Sequence, residues 1–409
     1  MVNNRRLVSS KLVSPRLVLF LALALVYCYV SFHRVTLAVI GDLLADEFKL
    51  GPAELGLLGS ILLYCYAFMQ LPSGVLADHV GPKRTITLSL AFSAAGSAVF
   101  GVAHSFAVAI CGRILVGIGI SCIYLSLIKI LSAWYRENEF GVILGILMSL
   151  GMLGNMLATS PLALSVKLMG WRNSYLAVGL LTVGLIALVY FRVTNAPEGG
   201  DPPAHAASAQ PLAPTETVSE KLAAVSRTVW TLMRNRTRSY GYSLVEMGNA
   251  LLWYSLGGIC GAPFWGLLSD RLFKSRKRVL VMGSLLSMLV WFFPAFMPLA
   301  IPRWAVHALL FAMSAAAGGG VLTHAMARES FSSEVLGISV GIINFFTFLG
   351  GAAFTQLMGH MVELFAKTDG DYPLIAYQST VMLIFGTWIV RLIALMLTEE
   401  RRDSSLVRN

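Results

Sequence analysis

The chain has 409 residues, of which 56% are hydrophobic and 13% charged, with a mean hydropathy of +0.72. That composition excludes a water-soluble fold of this size and describes a protein that crosses a bilayer many times. The formal net charge of +10 would suit a nucleic-acid ligand in a soluble protein. Here the basic residues flank apolar runs, so membrane orientation explains them and nucleic acid is not an expected partner.

Apolar stretches near the ~20 residues needed to cross ~30 Å of hydrocarbon lie, in chain order, at 17–41, 56–77, 86–103, 107–132, 141–165 and 172–192, then at 243–268, 279–300, 304–326, 335–361 and 374–397. They predict an all-α membrane protein with about eleven transmembrane helices. The first run is too long for the core of a cleavable signal and is read as the first span. Arg5, Arg6, Lys11 and Arg16 precede it, Lys83 and Arg84 follow the second, and Arg271 to Arg278 and Arg401, Arg402 and Arg408 mark later ends. These ends are expected to face the cytoplasm, the N-terminus among them. The alternate loops, with Asp42, Asp46, Glu47, Glu54, Glu363, Asp369 and Asp371, are expected to face outward, across a cell inner membrane. Cys28, Cys65, Cys111, Cys122 and Cys260 all fall in apolar runs without metal-ligand spacing and are read as reduced packing residues. No cofactor or metal is expected.

After the sixth span the composition turns to Ala, Pro, Ser, Thr and Gly, which reads as a solvated linker. The expected organisation is a six-helix bundle over 1–192, a cytoplasmic linker over 193–240, a five-helix bundle over 241–398 and a tail over 399–409. Val218, Leu222, Val225, Val229 and Met233, with Lys221, Arg227 and Arg234 between them, fit a basic amphipathic helix on the inner leaflet. A partly ordered loop fits equally well.

One charged hairpin is written twice. Gly74, Asp78, Gly81, Lys83 and Arg84 follow the second span, and Gly266, Asp270 and Arg271 begin a matching tract that continues through Lys274, Arg276, Lys277 and Arg278. Gly141, Gly145 and Gly154 are likewise answered by Gly337, Gly341 and Gly350. A duplicated membrane chain places a solute site between its halves. Small residues let helix backbones approach where lipid gives no hydrophobic drive, so the repeated glycines are expected at helix interfaces.

These tracts resemble the signature loops of the major facilitator superfamily, between helices two and three and between helices eight and nine. His79 and Pro82 depart from the usual basic residues, and Phe273 stands where the second tract would carry its second glycine. Arg113, Gly117 and Gly119 resemble the family's fourth-helix motif. The resemblance implies twelve helices in two bundles, alternating access and transport driven by a proton or a counter-solute. It also assigns the aspartate tracts to conformational gating. The helix expected seventh is missing from the sequence, since residues 231–240 are too polar and too short. The linker and the Arg271 turn both read as cytoplasmic with one span between them. A shortened descendant of a twelve-helix protein and a genuine eleven-helix topology both answer this.

Ionisable groups inside a bilayer are costly and mark function by default. His33 and Arg34 fall in the first span, and Arg113 and Lys129 in the fourth. Glu246 is the sole carboxylate within any predicted span, and His324 and Arg391 lie in later ones. A cavity with Arg34 and Arg113 suits an anionic solute, because guanidinium forks match carboxylate and phosphate. Ser31 to Ala38 also resembles organic-anion and sugar-phosphate members of the superfamily, in which a first-helix arginine meets the anion. The expected substrate-binding set is Arg34, Arg113 and His33, with Tyr64, Gln70, Tyr124 and Asn155 as hydrogen-bonding candidates. Lys129 and Arg391 read as interfacial. Glu246 and His324 are the candidates for carrying a coupling proton.

No Walker-type phosphate loop, metal cluster, nucleophile elbow or catalytic carboxylate pair is present in the sequence, so an enzyme is not expected. The expected partners are a small anionic substrate and the lipid bilayer, and the expected assembly is a monomer. The leading expectation is a secondary transporter of a small organic anion. The missing helix leaves a second one, a transport-incompetent remnant or solute sensor of the same fold.

Overall fold

A computed structural model of the chain describes residues 14–197, 244–273, 275–296, 302–323, 333–367 and 372–398, and every regular element among them is helical. His324 and the segment from Val218 to Met233 lie outside the described residues, as do the side chains of Asp270 and Arg271. The first half comprises α1 (Pro15–Val35), α2 (Leu37–Phe48), α3 (Pro52–His79), α4 (Pro82–Gly101), α5 (Phe106–Ser121), α6 (Ile123–Trp134), α7 (Glu137–Leu157) and α8 (Ser160–Arg192). The second comprises α9 (Leu244–Leu267), α10 (Arg276–Phe296), α11 (Arg303–Ala317), α12 (Ser333–Glu363) and α13 (Leu374–Leu397). Each of the predicted apolar runs coincides, over its described part, with helix.

The helix starts follow local chemistry. Pro15, Pro52 and Pro82 each occupy the first turn of a helix, where a missing N–H costs nothing. Ser14 caps α1 by accepting from the Leu17 amide, and Gly81 opens α4 at φ 89°, a backbone angle that favours glycine. α8 is two helical segments that meet at a turn at Gly170, φ 80°, the first holding the end of the run 141–165 and the second the run 172–192. Leu162 and Val166 before the turn pack with Leu37 and Phe100, while Val189 and Val193 after it reach the core beside Ile86 and Leu131. The outer surfaces of the helices carry apolar side chains such as Leu168, Leu180 and Phe191, all more than 70% exposed, which suits lipid rather than water.

Helix crossings are set by glycines. A β-carbon on Gly96 would meet the Val116 nitrogen at 2.6 Å and the Gly112 oxygen at 2.8 Å, so α4 and α5 touch backbone to backbone. Gly154, one of the repeated glycines, is pressed against the Cys28 carbonyl of α1 in the same way. Gly145 and Gly350 have nothing within 4 Å of an added β-carbon, so they do not mediate the close approach expected of them. Matching a glycine in both halves does not reveal which face of its helix it occupies.

The two halves obey one plan. Counting 192 residues on from Cys65, whose β-carbon packs where Gly117 of α5 has none, reaches Gly257, which sits against Phe311 of α11. The start of α4 is tied to the end of α8 by a hydrogen bond from the Lys83 amide to Asn195 Oδ1 at 2.9 Å. The start of α10 is tied to the end of α13 by Lys277 Nζ, which donates to the carbonyls of Met396 and Thr398. Between halves, α3 packs on α12, and its counterpart α9 packs on α7 and α8. The exchange is that of a pseudo-twofold axis. Residues 198–243, where a counterpart of α1 and α2 would fall, lie outside the described residues.

Candidate functional site

The helical ladder of the first span breaks at Thr36, which ends α1 and precedes α2. Arg34 stands at this break with 4% of its surface exposed. Its guanidinium lies 4.6 Å from the Tyr66 ring centroid and 5.6 Å from that of Phe348. Tyr66 falls at the midpoint of the 28-residue α3, and Phe348 comes from α12 of the opposite half. A cation over aromatic faces is attracted by their quadrupoles, more strongly when water is excluded. Two residues before Tyr66, the Tyr64 hydroxyl donates to Gln356 Oε1 at 3.1 Å, again from α3 to α12.

Arg113 and His33 lie elsewhere. Arg113, 1% exposed, donates from Nη1 to the His33 carbonyl at 3.4 Å, an acceptor left at the end of α1 by the break. Thr36 Oγ1 donates to the same carbonyl at 3.3 Å and accepts from the Tyr175 hydroxyl at 2.7 Å. The fully buried His33 ring packs edge-on against Tyr29 and Phe32 at centroid distances of 4.6 and 5.6 Å. Arg113 and His33 are therefore held inside the first half, whereas the adjacent Arg34 turns to the interface. Tyr124 is also internal, 5.6 Å from the Tyr27 ring. Asn155 is buried with Nδ2 beside Met152 Sδ at 3.5 Å, and Gln70 is half-buried, its carbonyl accepting from Ser73.

At the gating tract, Asp78 forms an ion pair with Lys129 of α6, with 65% of the Asp78 and 23% of the Lys129 side chain exposed. Thr85 Oγ1 donates to the Gly81 carbonyl at 2.9 Å, and Lys83 Nζ lies 5.3 Å from the Tyr190 ring centroid. Gly74 makes an ordinary contact with Leu125, and Arg84 is exposed at the first turn of α4. In the second tract Gly266 has open space around it, and a π-helical turn, Leu268–Phe273, carries the backbone of Asp270 and Arg271. Arg276 Nη1 donates to Ser269 across this turn at 3.0 Å. Glu246 is half-buried in the first turn of α9, two residues before Gly248, which packs on Ser160 of α8. Arg391 stacks on Trp388 at 5.1 Å.

At the opposite end of the first half, Glu47 pairs with Arg172 at 2.5 Å and accepts from Trp171 Nε1 at 2.8 Å. The Arg172 hydrogen bond, with help from Trp171, holds the Glu47 carboxyl below its ordinary value.

Tyr66 and Phe348 were not singled out from the sequence as site residues, and Lys129 was read as interfacial rather than as the partner of Asp78. The available signal was the Tyr64–Tyr66 pair in mid-span; Phe348 carried none, being one apolar residue in an apolar run.

The Major Facilitator Superfamily profile matches residues 19–237 and again 222–409. The "Probable sulfoacetate transporter SauU" of Cupriavidus necator is 29% identical over 177 residues, 43% of this chain and 41% of that protein. The "Probable L-galactonate transporter" of Escherichia coli K12 is 28% identical over 179 residues, 44% of this chain and 39% of that protein. The chain thus spans about two fifths of the length of these relatives in the matched region. A match over 95% of the chain and 94% of the relative, at 20% identity, is to the "Probable hexose phosphate transport protein" of Chlamydia pneumoniae. Among solved structures, a D-xylose-proton symporter superposes with a TM-score of 0.71 at 12% identity, covering 92% of this chain and 97% of that one. A bacterial homologue of the lysosomal transporter Spinster gives 0.69 at 18% identity, over 92% and 95%. These structural likenesses establish the fold.

Proposed function

The chain belongs to the Major Facilitator Superfamily, a family of membrane transporters and not of enzymes, and on that premise we propose that it carries a small organic anion by alternating access, with Arg34 as the anion's main ligand. The observation that carries the reading is the burial of the Arg34 guanidinium at mid-depth between the halves. Arginine keeps its charge at any physiological pH, and its fork pairs with carboxylate, sulfonate or phosphate oxygens. The names of the relatives support the same class, since sulfoacetate, galactonate and hexose phosphate are all small organic acids. Arg113 and His33 support the break in the first span that presents Arg34. Tyr64, Gln70, Tyr124 and Asn155 remain proposed contributors, of which Tyr64 has the best-placed hydroxyl.

Ligand binding to the folded state alone raises thermal stability by mass action, about 2.7 kcal/mol at one hundred times Kd. The purified protein is therefore screened by thermal shift against sulfoacetate, D- and L-galactonate, D-glucarate and hexose phosphates, with neutral sugars as controls. The reading predicts stabilisation by an acid and its loss in Arg34→Gln. Equal stabilisation of the two proteins, or stabilisation by neutral sugars alone, rejects it.

The proposal extends to the gating role of Gly74, Asp78, Gly81, Lys83 and Arg84 and of Gly266, Asp270 and Arg271. It extends also to proton coupling through Glu246 and His324, to a monomer in an inner membrane with its N-terminus in the cytoplasm, and to the division at residues 192 and 241. An imposed pH gradient that accelerates uptake in the wild type but not in Glu246→Gln supports coupling; equal acceleration removes Glu246 from that role.

A second reading, a remnant or sensor that binds without translocating, rests on the polar character of residues 231–240. Reporter fusions at residue 205 and at the C-terminus separate the cases. Reporters on the same face mean an even number of crossings between them, and reporters on opposite faces mean an odd number.

A further inference from the structure

Tyr66 of α3 and Phe348 of α12 stack with centroids 4.1 Å apart and planes inclined by 30°, and this contact joins the two halves at the depth of Arg34. Tyr66 is 1% exposed and Phe348 fully buried. The Arg34 guanidinium is within cation–π reach of both rings. A guanidinium donates through its N–H edges, which lie in its plane, and stacks through its faces. Contact with the two rings therefore restricts where the guanidinium lies, and with it the direction in which its N–H edges point.

We propose that Phe348 is a positioning residue for anion binding: with Tyr66 it holds the Arg34 plane so that the N–H fork meets the substrate's acid group, and it does so only while the two halves are in contact at this depth. The inference rests on the anion reading above and adds a residue of the second half that acts through Arg34. A long flexible side chain loses rotamer freedom when it binds a ligand, and orienting it beforehand removes part of that cost. Because the clamp needs one ring from each half, it exists in the arrangement described here and is lost when α12 moves away from α3. An anion then has different affinities for the two arrangements, and only such a difference lets a ligand bias a conformational equilibrium.

The test is uptake of sulfoacetate, D-galactonate and D-glucarate by proteoliposomes containing wild type, Arg34→Gln, Phe348→Leu, Phe348→Met and Phe348→Tyr. Leu and Met keep an apolar side chain at the site but remove the quadrupole, and the unbranched Met adapts to the space if Leu fails to fold. For the acid that wild type carries, KM is expected to rise about tenfold in the aliphatic variants, the scale of one desolvated cation–π contact. The maximal rate stays within about twofold of wild type, and Tyr restores KM. An unchanged KM in both folded aliphatic variants, or a KM in the Tyr variant as high as theirs, overturns the proposal while the loss of uptake in Arg34→Gln leaves the anion reading standing. Uptake of none of the three acids by wild type, or unchanged uptake in Arg34→Gln, overturns the anion reading and the clamp together.

Discussion

The Glu363 carboxylate accepts a hydrogen bond from the Ala53 backbone amide at 2.9 Å, joining the last turn of α12 to the first turn of α3 across 310 residues of sequence. The first amides of a helix have no partner within it, and the positive end of its dipole attracts a carboxylate. Nearby, an added β-carbon on Gly56 would lie 3.1 Å from the Thr355 carbonyl oxygen and 3.5 Å from the Gly359 α-carbon, so the helices meet closely. Ser160 of α8 donates to Asn249 of α9 at 2.6 Å in the related contact between halves. The halves are thus joined at the end of the molecule opposite Asp78.

This contact predicts a change of conformational balance when its charge is removed. A carboxylate at a helix N-terminus contributes about 0.3–1 kcal/mol at exposed sites. Glu363→Ala therefore enlarges the population in which these ends are apart, and Glu363→Gln has a smaller effect. Spin labels at the exposed positions Lys49 and Lys367 report the separation; identical distance distributions in wild type and Glu363→Ala contradict the prediction.

The Asp78–Lys129 pair is exposed on one side and lies wholly within the first half. Pairs of that kind contribute about 1 kcal/mol or less, so Asp78→Asn leaves the melting temperature nearly unchanged. Its proposed role is in switching between states, and it is therefore expected to slow transport several-fold at constant KM. A large thermal destabilisation with normal turnover would reverse the assignment.

Glycine substitutions separate contact from coincidence. Gly96→Ala forces a β-carbon into the α5 backbone and is expected to cost about 1–3 kcal/mol. Gly145→Ala and Gly350→Ala meet open space and lie in helices, where alanine is preferred by roughly 0.5–1 kcal/mol. Thermal unfolding in detergent reads all three. Equal losses at Gly96 and Gly145 would refute the packing description.

The Glu47–Arg172 pair carries a pH signature. Because Arg172 depresses the Glu47 carboxyl below its ordinary 4.5, the associated stability is present above about pH 4.5 and lost as pH falls through the lower folded value. With Glu47 partly exposed, the contribution is about 1 kcal/mol or less. The difference in melting temperature between wild type and Arg172→Gln is therefore expected at pH 7 and should narrow towards pH 3. A difference that widens in acid has the wrong sign.

The helical architecture was legible because lipid imposes a simple rule: a long apolar run crosses, and the breaks between runs carry proline, glycine and charge. Pro52, Gly81 and Pro82 could be read in this way before any coordinates. Arg34 was legible too, as a charge in an apolar run. Its surroundings were not, because Tyr66 and Phe348 meet only when the second and eleventh helices of the family plan are brought together. The direction of a side chain around its helix was equally hidden. His33 and Arg34 are neighbours in sequence, yet one packs inside the first half and the other faces the second. Lys129 reads as an interfacial lysine until α6 is docked beside the end of α3, which places it on Asp78.

The most direct test of the central reading is counterflow in proteoliposomes loaded with an unlabelled small organic acid and diluted into a trace of the same acid labelled. If the halves rock about a site at Arg34, wild type shows a transient overshoot of label for at least one of sulfoacetate, galactonate and glucarate, and Arg34→Gln shows none while remaining folded. An overshoot of the same size in both proteins, or none for any acid in wild type, contradicts it.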